Sequence, residues 1–182
     1  MKTNTKKGFT LIELLVVIAI LAVLATAVVI ILNPAQLVKQ GRDSTRVSDL
    51  SALHNALALY LAEVANLTSW TATSTCTVGT TSPSGGSCVT NATTAVTGTG
   101  WVNVNFGAIS SGSPLSRLPL DPVNDAIYYY SYTSSSTLLY ELNAKMESNK
   151  YAASGAGDVV TKDQGNNATW YEIGNDPGLD LQ

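Results

Sequence analysis

The residues with the most distinctive chemistry lie near the N-terminus, where one glutamate interrupts a long apolar run. Residues 9–32 carry a single charged side chain, Glu13, and a short basic leader that ends in Gly8 precedes them. A carboxylate inside a bilayer helix costs roughly 2.5 to 3.5 kcal/mol on insertion scales. We therefore expect Glu13 to have a function and a positively charged partner.

Cleavage of the chain between Gly8 and Phe9 would supply that partner. The new α-amine of Phe9 would have an intrinsic pKa of about 8 and would carry a positive charge. Phe9 and Glu13 are one helical turn apart, so the pair could form within one chain or between Glu13 and the amine of a neighbouring subunit. The second arrangement produces a polymer.

The segment KKGFTLIE with its apolar continuation resembles the class III signal of type IV pilins and type II secretion pseudopilins. The resemblance implies cleavage after Gly8 by a prepilin peptidase, N-methylation of Phe9, and a role for Phe9 and Glu13 in assembly. The plain alternative is a signal-anchor helix with a stray acid. A secretory signal peptide fits less well, because its apolar core has about 7 to 15 residues and ends at a small-residue cleavage site.

The resemblance also implies an α+β fold with the ladle shape of type IV pilins. A long N-terminal helix, half membrane-spanning and half amphipathic, would pack on a small antiparallel sheet of three to four strands. The expected organisation is a cleaved leader at 1–8, a transmembrane and filament-core helix at 9–34, an amphipathic helix at 35–65, a Ser/Thr-rich surface loop with a disulfide at 66–100, and the sheet with C-terminal loops at 101–182.

The apolar run is long enough to cross a membrane once. At about 1.5 Å per residue, a helix of this length spans the hydrocarbon layer of roughly 30 Å. The lysines of the leader should stay in the cytoplasm, so the rest of the chain lies outside. Pro34 removes one backbone donor, and we expect it to loosen the helix. These features predict a single-pass precursor in the inner membrane.

Composition argues against several classes of function. The chain has 182 residues and a net charge of −3, and loss of Lys2, Lys6 and Lys7 with the leader would change the charge to −6. Net acidity disfavours unspecific nucleic-acid binding. The sequence has one histidine, His54, and no motif of a nucleophile that this histidine could activate. We therefore expect no enzyme activity and no cofactor.

The remaining pattern predicts one amphipathic helix and several strands. Apolar residues recur at spacings of three and four from Val47 to Val64, with charged side chains between them that include Asp43 and Arg46. Strands are predicted at 101–106, 127–132, 137–142 and 169–173, the middle two forming a hairpin. The helix should cover one face of the sheet, and the other face should be partly in contact with water.

Two cysteines and three asparagines are candidate modification sites. Cys76 and Cys88 fall in the part predicted to be extracellular, so a disulfide is expected, with two free thiols as the alternative. Asn66, Asn91 and Asn167 each begin an N-x-T triplet and are candidates for glycosylation.

Residues 118–124 resemble the proline-aspartate-proline turn that precedes the hairpin in pilins. In pseudopilins a nearby loop binds calcium through carboxylates and carbonyls. The chain lacks the spacing typical of such a loop, and plain turn residues are the alternative, so no metal is predicted. The available hard-oxygen ligands are Asp121, Asp125, Asp158 and Asp163.

Together these features predict a major type IV pilin that polymerises with itself into an extracellular filament at the cell surface. Its expected partners are the prepilin peptidase, the pilus assembly platform with its ATPase machinery, and the inner membrane before assembly. The alternatives are a type II secretion pseudopilin, a minor or DNA-uptake pilin, and a membrane-tethered binding domain that never polymerises. Nothing in the sequence supports DNA as a partner directly.

Overall fold

The computed structural model describes residues 8–65, 67, 70–83 and 85–181. The chain divides into two compact units, Met1–Val38 and Lys39–Gln182. Two helices precede five strands, which confirms the α+β class. The elements are α1 (Leu11–Leu32), α2 (Pro34–Glu63), β1 (Thr73–Cys76), β2 (Val89–Thr90), a short 3-10 helix (Phe106–Ala108), β3 (Tyr130–Ser134), β4 (Tyr140–Ala144) and β5 (Tyr171–Gly174).

In the first unit, α1 is apolar on all sides and has no buried residue. A helix that is hydrophobic all round belongs in an apolar environment. The helical run that begins at Leu11 is the one in the described part of the chain with the length and composition to cross a membrane. The surface of α1 therefore suits an apolar environment such as lipid.

The helical run is interrupted at Asn33, next to the proline that was predicted to loosen it. Asn33 has a left-handed backbone, with φ 41° and ψ 73°, and it ends α1. Its carbonyl accepts the N–H groups of Gln36 at 2.9 Å and Leu37 at 3.4 Å. Pro34 occupies the first position of α2, where the missing N–H has no helical acceptor to lose.

In the second unit, the five strands form one mixed sheet in the order β2-β1-β3-β4-β5. β1 and β2 are parallel, and the other neighbours are antiparallel. The prediction of three to four strands was wrong, because β1 and β2 lie within the segment at 66–100 that was predicted as a surface loop. Their residues are mainly serine and threonine, so pairing of β1 with β3 and of β2 with β1, rather than an apolar pattern, makes them strands.

The predicted hairpin is confirmed, although its strands lie two to three residues further along the chain than predicted. β3 and β4 pair from Tyr130 with Ala144 to Ser134 with Tyr140. The last strand pairs with β4 at Leu142 and Ile173. The predicted strand at 169–173 thus corresponds to β5.

The strand predicted at 101–106 is absent from the structure, where this segment is irregular and ends in the 3-10 helix. Trp101 and Val102 are adjacent in sequence and both fully buried. Together with Val104 and Phe106, they fill the core between α2 and the sheet. The apolar alternation reflects burial of an irregular segment.

The face of the sheet away from α2 is buried, in contrast to the prediction that water contacts it. Alternation along each strand and the pairing between strands put five buried polar side chains on this face. They are Ser131, Thr133, Glu141, Asn143 and Glu172. At one end of this face the disulfide packs with Tyr129 and Trp170 in a second, smaller core. Loops and the C-terminal segment exclude water from what the sequence presented as a polar surface.

Candidate functional site

The N-terminal candidate site is built on the first turn of α1. Gly8 to Thr10 are not helical, and Thr10 caps the helix with an extended backbone. The Thr10 hydroxyl accepts the N–H of Glu13 at 3.3 Å. In return, Glu13 Oε2 accepts the N–H of Thr10 at 2.8 Å and its hydroxyl at 2.7 Å. This reciprocal arrangement is a capping box.

The local sequence explains this geometry. Threonine is a favoured N-cap, and a glutamate three residues later reaches back to the N–H of the cap. A carboxylate in the first turn also interacts favourably with the helix dipole. Thr10 therefore satisfies part of the hydrogen-bonding capacity of Glu13 within one chain. It does not neutralise the negative charge.

The bond between Gly8 and Phe9 lies outside the helix and is accessible. Both residues are exposed, and Phe9 is 85% exposed. A Cβ added to Gly8 would meet no atom of the described residues within 4 Å. Packing against that part of the chain therefore does not require glycine at this position.

Glu13 lies beside a shallow apolar groove on the surface of the first helical turns. Phe9, Ile12, Val16 and Val17 line this groove together with Glu13. α1 carries no basic residue in its last turn and no acid other than Glu13 in its first. Between Phe9 and Leu32 there is therefore no basic side chain that could pair with Glu13.

A second cluster of charged residues lies in the unit at Lys39–Gln182, where sequence analysis missed it. Arg46 is fully buried, and its guanidinium donates to Asp121 Oδ2 at 2.6 Å from Nε and to Asp121 Oδ1 at 2.8 Å from Nη2. Its Nη1 donates to Asp43 at 2.7 Å, and the ring of Tyr128 lies 5.1 Å from its Cζ. Asp43 and Arg46, which lie among the polar residues of the predicted amphipathic helix, are therefore both buried away from water.

Asp43 connects this cluster to the segment after β4. Its two carboxylate oxygens accept the N–H groups of Glu147 at 2.9 Å and Ser148 at 2.7 Å. Glu147 also pairs with Arg42 on the helix. Hydrogen bonding from Arg42 lowers the pKa of Glu147. Burial opposes the charge of Arg46, but hydrogen bonds to Asp121 and Asp43 outweigh it and raise the pKa of Arg46.

These contacts give the charged cluster a structural role. It joins the helix to the turn at 118–124 and to the segment that follows β4. Asp121 also accepts the N–H groups of Val123 at 2.8 Å and Asn124 at 3.2 Å, which fixes that turn. The sequence signal was the spacing of three between Asp43 and Arg46, which suits an ion pair on a helix but does not reveal burial.

The two cysteines are joined in a disulfide, as the sequence predicts. Cys76 lies at the end of β1 and Cys88 directly precedes β2, with their Cα atoms 5.7 Å apart. Cys76 is fully buried and packs with Trp170 and Tyr129. The disulfide thus links the end of β1 to the start of the edge strand β2 and packs in the second core.

The four calcium candidates serve separate local contacts. Asp121 pairs with Arg46, while Asp125 accepts the N–H groups at 127 and 128. Asp158 caps the turn at 160–161, and Asp163 accepts N–H groups at 165 and 172. Across the described residues, no group of three acidic, histidine or cysteine side chains could hold a metal ion.

The glycosylation candidates are partly tied into the fold. Asn91 Nδ2 donates to the carbonyl of Gly100 at 3.1 Å, and Asn167 Nδ2 donates to the carbonyl of Pro83 at 2.9 Å. A glycan on either nitrogen would replace one of its hydrogens and compete with these bonds. Asn66 and leader residues 1–7 lie outside the described residues.

Comparison with known proteins agrees with the N-terminal geometry. The prokaryotic N-terminal methylation motif matches residues 3–29, which include most of the segment up to Gly8, the capping box and most of α1. No curated protein and no solved structure matches the chain. The motif and the α+β fold indicate a type IV pilin-like or pseudopilin-like protein.

This class is structural rather than enzymatic, and its motif implies processing by a prepilin peptidase followed by assembly. Together with the apolar helix, the motif supports a precursor anchored in the membrane.

Proposed function

We propose that this chain is a major type IV pilin, a non-enzymatic subunit that polymerises into an extracellular filament after its leader is removed. The observation that carries the proposal is Glu13: it is the single acid of an apolar α1 that has no buried residue, and Thr10, its hydrogen-bonding partner among the described residues, is uncharged. Such a helix needs both an apolar environment and a cation. A second subunit offers both.

The proposed processing creates the cation. The peptidase cuts between Gly8 and Phe9, and the freed amine of Phe9 is then methylated and remains positively charged. In a filament, this amine meets Glu13 of a neighbouring subunit, which sets the stagger between helices. Because helices leave lipid for one another's apolar surfaces, little hydrophobic free energy is lost. The loosening of the helix at Pro34 allows packing in the filament core.

The proposed partners follow from this route. The precursor sits in the inner membrane with the leader in the cytoplasm, and the assembly platform with its ATPase machinery extracts the mature chain into the filament. Residues 9–34 then form the core of the filament. The unit that contains the sheet is displayed outside, where the disulfide of Cys76 and Cys88 stabilises it.

A filament assay with substitutions at Glu13 tests the assembly role. Glu13→Ala and Glu13→Gln should each leave the precursor made, cleaved and membrane-inserted, while filament counts by electron microscopy fall to near zero. Glu13→Gln keeps the shape of the side chain but removes its charge. The matched control Thr10→Ala removes the uncharged partner and keeps the charge, and it should still assemble.

Normal filament numbers with Glu13→Gln would contradict the proposal and would favour a membrane-tethered binding domain.

The subunit class is tested on filaments sheared from cells, with mass spectrometry of their main subunit. A major pilin should be that subunit, starting at methylated Phe9. If the chain were absent or rare there, a pseudopilin or a minor pilin would be the better assignment, and oligonucleotide binding with a steep salt dependence would favour DNA uptake.

A further inference from the structure

Two glutamates are buried side by side on the face of the sheet away from α2. Glu141 on β4 is 0% exposed and Glu172 on β5 is 1% exposed. In the antiparallel pairing, Glu172 is opposite Asn143 and Glu141 is opposite Gly174, so the two glutamates are diagonal neighbours on one face. Long side chains reach each other across such a diagonal.

The two carboxyl groups are close enough to affect each other's charge. Repulsion from Glu141 is among the causes that raise the pKa of Glu172. An ionised carboxylate can only accept hydrogen bonds, so a hydrogen bond between the two carboxyl groups requires one of them to keep its proton. Glu172 Oε1 is buried and receives no hydrogen bond from the residues that the structure describes. Two adjacent carboxyl groups in such a site do not both ionise readily.

The charged groups around the pair do not replace that proton. Asp158, Lys162 and Asp163 from the preceding loop and Asp176 from the C-terminal segment line the groove beside Glu172. Lys162 is exposed. Burial, with added repulsion from Glu141 and Asp163, raises the pKa of Glu172 from an ordinary 4.5 to about 7. Burial raises the pKa of Asp163 as well.

The same two side chains hold the segments that cover them. Glu141 Oε2 accepts the N–H of Leu181 at 3.0 Å, which ties down the end of the C-terminal segment 175–181. Glu172 Oε2 accepts the N–H of Asn167 at 2.9 Å, which ties down the loop at 163–167. Leu179 of the C-terminal segment is buried. A change of charge at the pair therefore acts directly on both segments.

We propose that Glu141 and Glu172 share one proton, and that its loss as the pH rises toward neutral loosens the C-terminal segment 175–181 and the loop at 163–167. With the proton in place, the pair carries one negative charge and satisfies its own hydrogen bond. Without it, two negative charges lie in contact in a buried site, and water must enter to solvate them. The segments held by these carboxylates have to move to admit that water.

The direction of the pH effect follows from linkage. Because the folded chain binds this proton more tightly than the unfolded chain, the proton stabilises the fold at low pH. That stabilisation is lost as the pH rises from about 4.5 to about 7. Over this window the opening equilibrium of the covering segments should rise by tenfold to roughly a hundredfold.

Amide hydrogen exchange of the full chain in detergent micelles tests the proposal. Wild type is compared with Glu172→Gln at about pH 5.5 and about pH 8, with rates corrected for intrinsic exchange. The glutamine amide donates to Glu141 as the protonated acid does. Peptides covering 163–181 should lose at least about tenfold protection at the higher pH in wild type and stay protected in the variant. Glu63→Gln, which neutralises an exposed glutamate on α2, should behave as wild type.

Infrared spectroscopy reports the proton itself. Wild type at about pH 6 should show a protonated carboxyl band that disappears toward pH 8 and is missing from Glu172→Gln; Glu141→Gln should abolish it too if the first variant folds poorly. Equal pH dependence of exchange in wild type and Glu172→Gln, or no such band in wild type, would overturn the proposal. Neither result depends on filament assembly, so the proposed function is tested separately.

Discussion

Arg46 and Asp121 form a bidentate ion pair in which neither side chain is exposed, although 75 positions separate them in the sequence. The pair joins the helix to the turn before the hairpin. Burial of both ions is costly, and the pair is tolerated because each charge has several hydrogen-bonding partners. Asp43 supplies a second carboxylate to Arg46.

Removal of one member of this pair should be strongly destabilising. Asp121→Ala removes the two hydrogen bonds that Asp121 accepts from the buried Arg46 guanidinium, and it removes the acceptor that fixes the turn at 123–124. The free energy of unfolding of the full chain in detergent should fall by about 3 to 5 kcal/mol. Urea titration followed by circular dichroism measures it.

The matched control for this prediction is Asp125→Ala in the same loop. Asp125 is exposed and accepts the N–H groups of Ile127 and Tyr128 at 2.8 Å each, so it has a turn role without a buried ion pair. Its loss should cost only about 1 kcal/mol. Equal costs for the two variants would show that the ion pair adds nothing beyond fixing the turn.

A second prediction concerns processing at Gly8. Gly8→Val should abolish leader removal while leaving the fold unchanged, because a Cβ there meets no atom of the described residues within 4 Å. Mass spectrometry of membrane-extracted protein should find the uncut chain, with the melting temperature of wild type. A mature mass that starts at residue 9 in the variant would show that the cleavage site is elsewhere or that the peptidase tolerates a branched residue.

A third prediction concerns the disulfide. Reduction of the bond between Cys76 and Cys88 opens a loop of about a dozen residues, which is worth on the order of 3 kcal/mol in the chain-entropy model. Wild type should therefore melt at a lower temperature with reductant, and Cys88→Ser should melt low with or without it. Identical melting of oxidised and reduced wild type would mean that the covalent link does not stabilise the fold.

The N-terminal segment could be predicted from sequence because its signals are local. The contrast between leader, acid and apolar run needs no knowledge of the rest of the chain, and the capping box at Thr10 and Glu13 is set by a spacing of three. The β3–β4 hairpin is local for the same reason. Their exact bounds are less predictable, because pairing with other strands decides where a strand begins.

Long-range contacts account for what the sequence did not reveal. Helical periodicity placed Arg46 and Asp43 on a polar face, since the partner Asp121 is remote in sequence. β1 lacks an apolar pattern and becomes a strand through pairing with β3 and through Cys76. A glutamate in a strand usually marks a solvent-exposed position. Glu141 is buried because the C-terminal segment covers it.

A fourth prediction concerns acid stability at Asp158. Its carboxylate accepts the Thr161 hydroxyl at 2.6 Å and the N–H groups of Ser154, Val160 and Thr161 at 2.8 to 3.0 Å. Hydrogen bonds from the Thr161 hydroxyl and backbone lower the pKa of Asp158 from 3.8 to about 2. The stabilisation is therefore complete above about pH 4 and is lost as the pH falls toward 2.

Asp158→Asn should accordingly melt below wild type at about pH 6, and the gap between them should narrow as the pH falls below about 4. Asp180→Asn, which neutralises an exposed acid of the C-terminal segment, should show no such pH-dependent gap. Thermal melts of the full chain in detergent at several pH values measure both differences. A gap for Asp158→Asn that stays constant down to about pH 2 would mean that the ionised form is not what holds the turn, and that the asparagine fails for a steric reason instead.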